Sequence, residues 1–183
     1  MMKNIIKQAL TDLFPSPGTV AEELGVETAE DEVAENGKKK KAKKKEDPPR
    51  VNGVLERDHA QYGYDIDVQL EPGELLAAVM IIDKAGFFIE SITGVDWIKE
   101  KQLEVIYDFS RYDFDPCRVV VRTRTPRENP GIPTISKIFA GANWHERETH
   151  DFFGIKFEGH PHLVPLLLPE DADFHPLLKD FKP

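Results

Sequence analysis

The densest run of residues able to do chemistry is Asn143-Trp144-His145-Glu146-Arg147-Glu148-Thr149-His150-Asp151-Phe152-Phe153-Gly154. Two histidines with a glutamate between them suggest the zinc helix of a metalloprotease. That helix needs its histidines at i and i+4, one above the other. Here they stand at i and i+5, roughly 140° apart at 3.6 residues per turn, so one regular helix cannot aim both at one ion. Glu146 and His150 do keep i,i+4 spacing, and His160 and His162 follow. A stand-alone metal-dependent hydrolase using those four is therefore one alternative. The other reading is a charge network, with Arg147 offering five donors to Glu146, Glu148 and Asp151. Nucleophilic catalysis finds no support. Cys117 follows Asp113-Phe114-Asp115-Pro116, an acidic loop that disfavours a thiolate. The glycines form neither a dinucleotide fingerprint nor a phosphate loop. The aromatics lack the basic interleaving that binds single strands.

The elements that must position this segment can be read upstream. Asp65–Leu70 alternates polar and apolar residues and predicts a half-buried strand. Glu71-Pro72-Gly73-Glu74 opens a helix whose apolar face is Leu75, Leu76, Val79, Met80 and Ile82, with Gly86 at its end. Phe87–Ile92, Leu103–Phe109 and Arg118–Arg124 follow as strands, the first two joined by the hairpin turn Lys99–Gln102. A short helix is predicted around Thr134–Ala140. Strand, helix, three strands, helix makes an α+β layer: a small mixed or antiparallel sheet with helices on one face. Residues 1–15 predict an amphipathic helix, with Ile5, Ile6, Ala9, Leu10, Leu13 and Phe14 on one side, stopped by Pro15-Ser16-Pro17-Gly18. Residues 159–183 carry Pro161, Pro165, Pro169, Pro176 and Pro183, yet are apolar at Leu166-Leu167-Leu168. Such an extended tail needs a surface, either its own domain or another subunit.

Composition narrows the function classes. The chain has 183 residues, 40% of them apolar, and one cysteine, which excludes an internal disulfide and any all-cysteine iron–sulfur or zinc site. The longest apolar run, Leu75–Ile82, is far short of the roughly 20 residues of a membrane span. The start, with Lys3 and Lys7, leaves no signal-peptide core. The net charge is −9, and it lies wholly after residue 50, which argues against nucleic acid as the main partner. Glu22–Glu35 holds seven acids and Lys38–Lys45 seven lysines, so residues 16–50 are expected to be a disordered linker.

The segment Asn143–Pro161 closely resembles the signature of the 30-kilodalton subunit of respiratory complex I, NADH:quinone oxidoreductase. In that family it runs N-W-x-E-R-E-x-x-D-x-F-G-I-x-F-x-G-H-P. Leu166-Leu167-Leu168-Pro169-Glu170-Asp171 and Pro176-Leu177-Leu178-Lys179-Asp180-Phe181 continue the likeness, and Ser91-Ile92-Thr93-Gly94-Val95-Asp96-Trp97 is similar to its l-T-G-V-D-Y step. With the linker 16–50 read from composition, the resemblance completes a division into four parts: a helix over 1–15, that linker, the α+β domain over 51–158 and a partner-wrapping tail over 159–183. It implies no catalytic, cofactor or metal residue in this chain. Iron–sulfur clusters and a flavin or nickel–iron centre are expected in partner subunits. The partners implied are the large quinone-site or hydrogenase-type subunit and an iron–sulfur small subunit, on the cytoplasmic side of the inner membrane, with the membrane reached only through them. The interface residues carried over are Trp144, Glu146, Arg147, Glu148, Asp151, Phe153, Gly154, Gly159, His160, Pro161, Leu166, Leu167, Leu168, Pro169, Pro176, Leu177, Lys179, Asp180 and Phe181. The chain departs from the pattern in the inserted linker and in Val164, Pro165 and Leu178, where relatives carry basic residues. An apolar dock for the tail is therefore expected here. The equivalent subunit of an energy-converting nickel–iron hydrogenase or a formate-linked complex is the alternative within the family.

Overall fold

The computed structural model describes residues 2–14, 50–113 and 115–182. All of the expected linker except Arg50 lies outside them. Helix α1 (Met2–Thr11) is followed by β1 (Gly53–Glu56), a single-turn helix α2 (His59–Tyr62) and β2 (Ile66–Leu70). A 3-10 turn at Pro72–Glu74 leads into α3 (Leu75–Lys84). Three long strands form a meander: β3 (Phe88–Trp97), β4 (Gln102–Arg111) and β5 (Cys117–Pro126). Then come β6 (Gly131–Pro133), α4 (Ala142–Phe153) and β7 (Lys156–Glu158).

The main sheet has the order β1-β2-β5-β4-β3, with β2 parallel to β5 and the other pairs antiparallel. A second, two-stranded parallel ladder joins β6 to β7. Strand alternation gives the main sheet two unlike faces. One carries Ile66, Val68, Leu70, Val105, Tyr107, Phe109, Val119 and Val121, all fully buried. Helices α1 and α3 cover this face through Ile6, Leu10, Leu75, Val79 and Ile82. Helix α4 lies on it too, over β3: Gly94, paired with Val105, faces the Phe153 ring so closely that any Cβ would collide with it. The fold is therefore α+β with its helices on one face.

The opposite face is a lattice of arginines and acids. Arg122 bonds Asp67 at 2.8 Å, Arg124 bonds Glu104 at 3.0 Å, and Arg118 bonds Asp108. The Trp97 indole donates to Glu104 at 3.0 Å while the Arg124 guanidinium lies over its ring.

Two expectations change. Residues 134–140 make turns rather than a helix, because Pro133 enters from a strand and the Glu146 carboxylate takes the Ile135 N–H. In α3 the buried positions are Leu75, Ala78, Val79 and Ile82, whereas Leu76 and Met80 are exposed. The short elements β1, α2, β6 and β7 gave no periodicity to read.

Candidate interface site: helix α4 and the C-terminal tail

Helix α4 ends where Gly154 adopts φ 75°, a left-handed conformation natural to glycine, and donates its N–H to the His150 carbonyl. A Cβ at Gly154 would also lie 2.6 Å from the His175 ring. Glu146, Arg147 and Glu148 sit at successive 100° steps, with Asp151 one turn beyond Arg147 on the same side, so they reach different places. They do not form the expected charge network.

Glu146 points inward and is fully buried. Its carboxylate accepts the Ile135 N–H at 2.7 Å and the Thr134 hydroxyl. The nearest basic group is the buried His160 ring, with Nε2 at 3.8 Å. That ring accepts the His162 N–H on Nδ1, so its Nε2–H is the donor facing the Asn143 carbonyl at 3.3 Å, and the ring is neutral. Burial pushes the Glu146 carboxyl up to about 7 against the two hydrogen bonds, and burial lowers the His160 imidazole.

Arg147 and Asp151 turn toward the tail. The Arg147 guanidinium donates to the Val164 carbonyl at 3.0 Å and the Pro165 carbonyl at 2.9 Å, and it lies 5.3 Å from the centre of the Trp144 ring. One Asp151 oxygen accepts three consecutive amides, Leu166 at 2.8 Å, Leu167 at 2.7 Å and Leu168 at 3.2 Å. Burial raises this carboxyl, but the three amides outweigh it and hold it below its ordinary value. Farther along, the His175 Nδ1–H donates to the Asp151 carbonyl at 2.8 Å and the Leu177 amide to the Phe152 carbonyl at 3.2 Å. Asp96 is buried on β3 and accepts the Lys179 amide at 2.8 Å and the Arg127 fork at 3.1 and 3.3 Å. Arg127 also bonds Asp180.

The tail thus lies along its own domain, bound through its backbone. Beyond Gly159 and Pro161 it has no helix or strand up to residue 182. Its side chains divide: Leu163 and Leu178 pack on the core, Leu166 and Leu168 are half-buried, and Leu167 is 60% and Leu177 52% exposed. Trp144, beside the clamp, is 60% exposed. Phe181 stacks on Phe174, while Pro169 is exposed and Pro176 half-buried. Glu148 is half-buried on the same helix and makes no hydrogen bond or ion pair among the described residues. Asp96 and Arg127 were missed as tail anchors, although Asp96 stands within the Thr93–Trp97 motif.

The four residues of the hydrolase alternative do not converge. The His150 Nδ1–H is committed to the Ile155 carbonyl at 2.9 Å, His162 is exposed, and Glu146 faces only His160 among them. Cys117 is buried, and burial foremost, with nearby Asp65, pushes its thiol up to about 11.

The family described as "Respiratory-chain NADH dehydrogenase, 30 Kd subunit" matches residues 68–183. The chain belongs to that family. It is 36% identical over 132 residues to an NADH-quinone oxidoreductase subunit of Roseiflexus sp. (strain RS-1), covering 66% of this chain and 72% of that one. It is 33% identical over 138 residues to an F(420)H(2) dehydrogenase subunit of Methanosarcina mazei, covering 75% and 78%. Among solved structures it resembles a chain of the membrane-bound sulfane sulfur reductase, an archaeal respiratory membrane complex. There the TM-score is 0.58 and the identity 28%, over 64% of this chain and 71% of that chain. A trypsin-resistant fragment (1–134) of Nqo5 gives 0.50 and 30%, over 57% and 92%. As a member of this family the chain is a subunit of an oxidoreductase complex associated with a membrane, and its partners are other subunits. No helix among the described residues is long and apolar enough to cross a membrane.

Proposed function

We propose that this chain is a non-catalytic peripheral subunit of a complex I-type electron-transfer assembly, where it shapes the interface with the large quinone-site subunit. The observation that carries the reading is the clamp on α4. It binds the carbonyls of Val164 and Pro165 and the amides of Leu166, Leu167 and Leu168 inside this chain and leaves Trp144, Leu167 and Leu177 exposed. A prefolded strap with exposed leucines and a tryptophan meets a partner with little ordering entropy left to lose. Val164, exposed where relatives carry a basic residue, keeps that contact apolar, while Leu178 packs on this chain's own core. The redox groups (flavin and iron–sulfur clusters, or a nickel–iron centre) belong in this reading to partner subunits, among them an iron–sulfur small subunit. The assembly faces the cytoplasm on the inner membrane.

The resemblance to an F(420)H(2) dehydrogenase subunit and to an archaeal sulfane sulfur reductase chain supports a second reading within the same class, an assembly with a donor other than NADH. Purification of the membrane complex through a tag on this chain tests both. A co-purifying large subunit with flavin and iron–sulfur clusters is expected, and its other subunits identify the donor. Truncation after Gly159 is expected to abolish co-purification. Recovery of the chain alone from intact membranes, or full retention of the truncated chain, would overturn the reading.

A further inference from the structure

Helix α3 is apolar on every side, from Leu75 to Ile82 without interruption. A helix of that kind is normally buried all round. This chain covers only part of it. Leu75, Ala78, Val79 and Ile82 are fully buried on the sheet, whereas Leu76 is 40% and Met80 48% exposed, with Ala77 exposed beside them. Leu76 and Met80 are one turn apart, so they form a ridge of the kind that packs against another helix. The ends of the stripe are acidic: Glu71 and Glu74 precede it and Asp83 follows, with Lys84 the nearby exception. Glu71 accepts the Asn52 amide at 2.8 Å and Glu74 the Glu71 N–H at 3.0 Å, capping the helix, but none of the three acids is in an ion pair among the described residues.

We infer that the outer face of α3 is a second docking surface, and that its occupant is an apolar helix of another subunit flanked by Lys or Arg. This rests on the assembly proposed above but uses a different face from the tail. Charge selects the occupant. An anionic bilayer surface would meet Glu71, Glu74 and Asp83, whereas interfacial helices are flanked by bases. A second copy would set the same acids against each other. A basic-flanked helix meets both the acids and the ridge, and Met80 supplies an adaptable contact.

The test uses the full chain in its membrane complex, with a photoreactive benzophenone side chain introduced at position 80. Irradiation is expected to give one crosslinked product, to a basic-flanked helical segment of another subunit. The double variant L76E/M80E is expected to lower retention in the complex at least tenfold, while the thermal midpoint of the purified full-length chain moves by only a few degrees. The reversal E71K/D83K is expected to weaken retention at low salt and to converge with the unaltered chain at high salt. A crosslink to a second copy, to lipid or within the chain itself overturns the inference, as does unchanged retention of L76E/M80E. If the chain is not in a complex at all, the proposed function falls. If the chain is present but position 80 is uncrosslinked, only the α3 surface falls.

Discussion

The two ends of α4 treat a carboxylate in opposite ways. At the inner end Glu146 is sealed among Thr134, Ile135 and the neutral His160 ring, and its acid form is favoured. At the tail end Asp151 is also buried, though less deeply, and three amides converge on one oxygen, so its anion is favoured. Depth of burial and the number of donors together decide the charge state. Glu146 fastens a turn with a group that is easily neutralised. Asp151 organises a tail that has no secondary structure to satisfy its own amides.

Replacing Asp151 by Asn should break this contrast most severely. An amide group accepts more weakly and presents its own N–H to the tail, so about 3 kcal/mol of stability is expected to be lost at charged hydrogen bonds of ~1.5–3 kcal/mol each, not additive. Urea unfolding measures the loss, and hydrogen exchange at Leu166–Leu168 should become fast. Unchanged protection there would show that the amides do not depend on Asp151.

Glu146→Gln is the converse. Its folded value near 7 exceeds the ordinary 4.5, so the protonated form stabilises the folded chain fully below about 4.5. That contribution is lost as pH rises through about 7, a change of about 3 kcal/mol. Glutamine mimics the protonated state. The variant is expected to match the unaltered chain near pH 5 and to exceed it at pH 8.5 in thermal melts. Parallel pH curves for the two chains would mean that Glu146 stays ionised when folded.

In the unaltered chain the two carboxyls should give opposite slopes. Asp151 contributes stability above its ordinary value near 3.8, lost as pH falls through its lower folded value, where Glu146 is already neutral. Exchange protection at Leu166–Leu168 is thus expected to fail in acid before that at Ile135. Simultaneous loss at both places would merge the two sites into one cooperative unit.

The smallest effect is expected from Arg147→Lys. It keeps the charge but gives up the fork on the Val164 and Pro165 carbonyls and the contact with Trp144, a loss of about 1 kcal/mol. A larger loss by urea titration would place Arg147 on a level with Asp151.

The strands and the hairpin were legible because one face of the sheet is buried and the other polar, which imprints a period of two on the sequence. The face of α3 differs from the expected one for a physical reason: a run apolar from Leu75 to Ile82 carries too little asymmetry to say which side is inside. The turn at 134–140 depended on Glu146, eleven residues from Ile135, and no local pattern encodes that bond. The α4 signature was legible as a motif but not as a mechanism. Nothing in the spacing of Glu146, Arg147 and Asp151 reveals that two of them bind backbone groups of a segment not yet reached.

The parallel pairing of β2 with β5 also bears on how the chain comes to be folded. Ile66 and Val119 lie side by side but 53 residues apart in the chain. The β3–β4–β5 meander closes through local turns, whereas bringing β2 beside it confines a long loop before any contact rewards it. A nascent chain leaving the ribosome would hold β1, β2 and α3 without their sheet until Pro126 emerged, with the apolar stripe Leu75–Ile82 meanwhile open to chaperones and to aggregation.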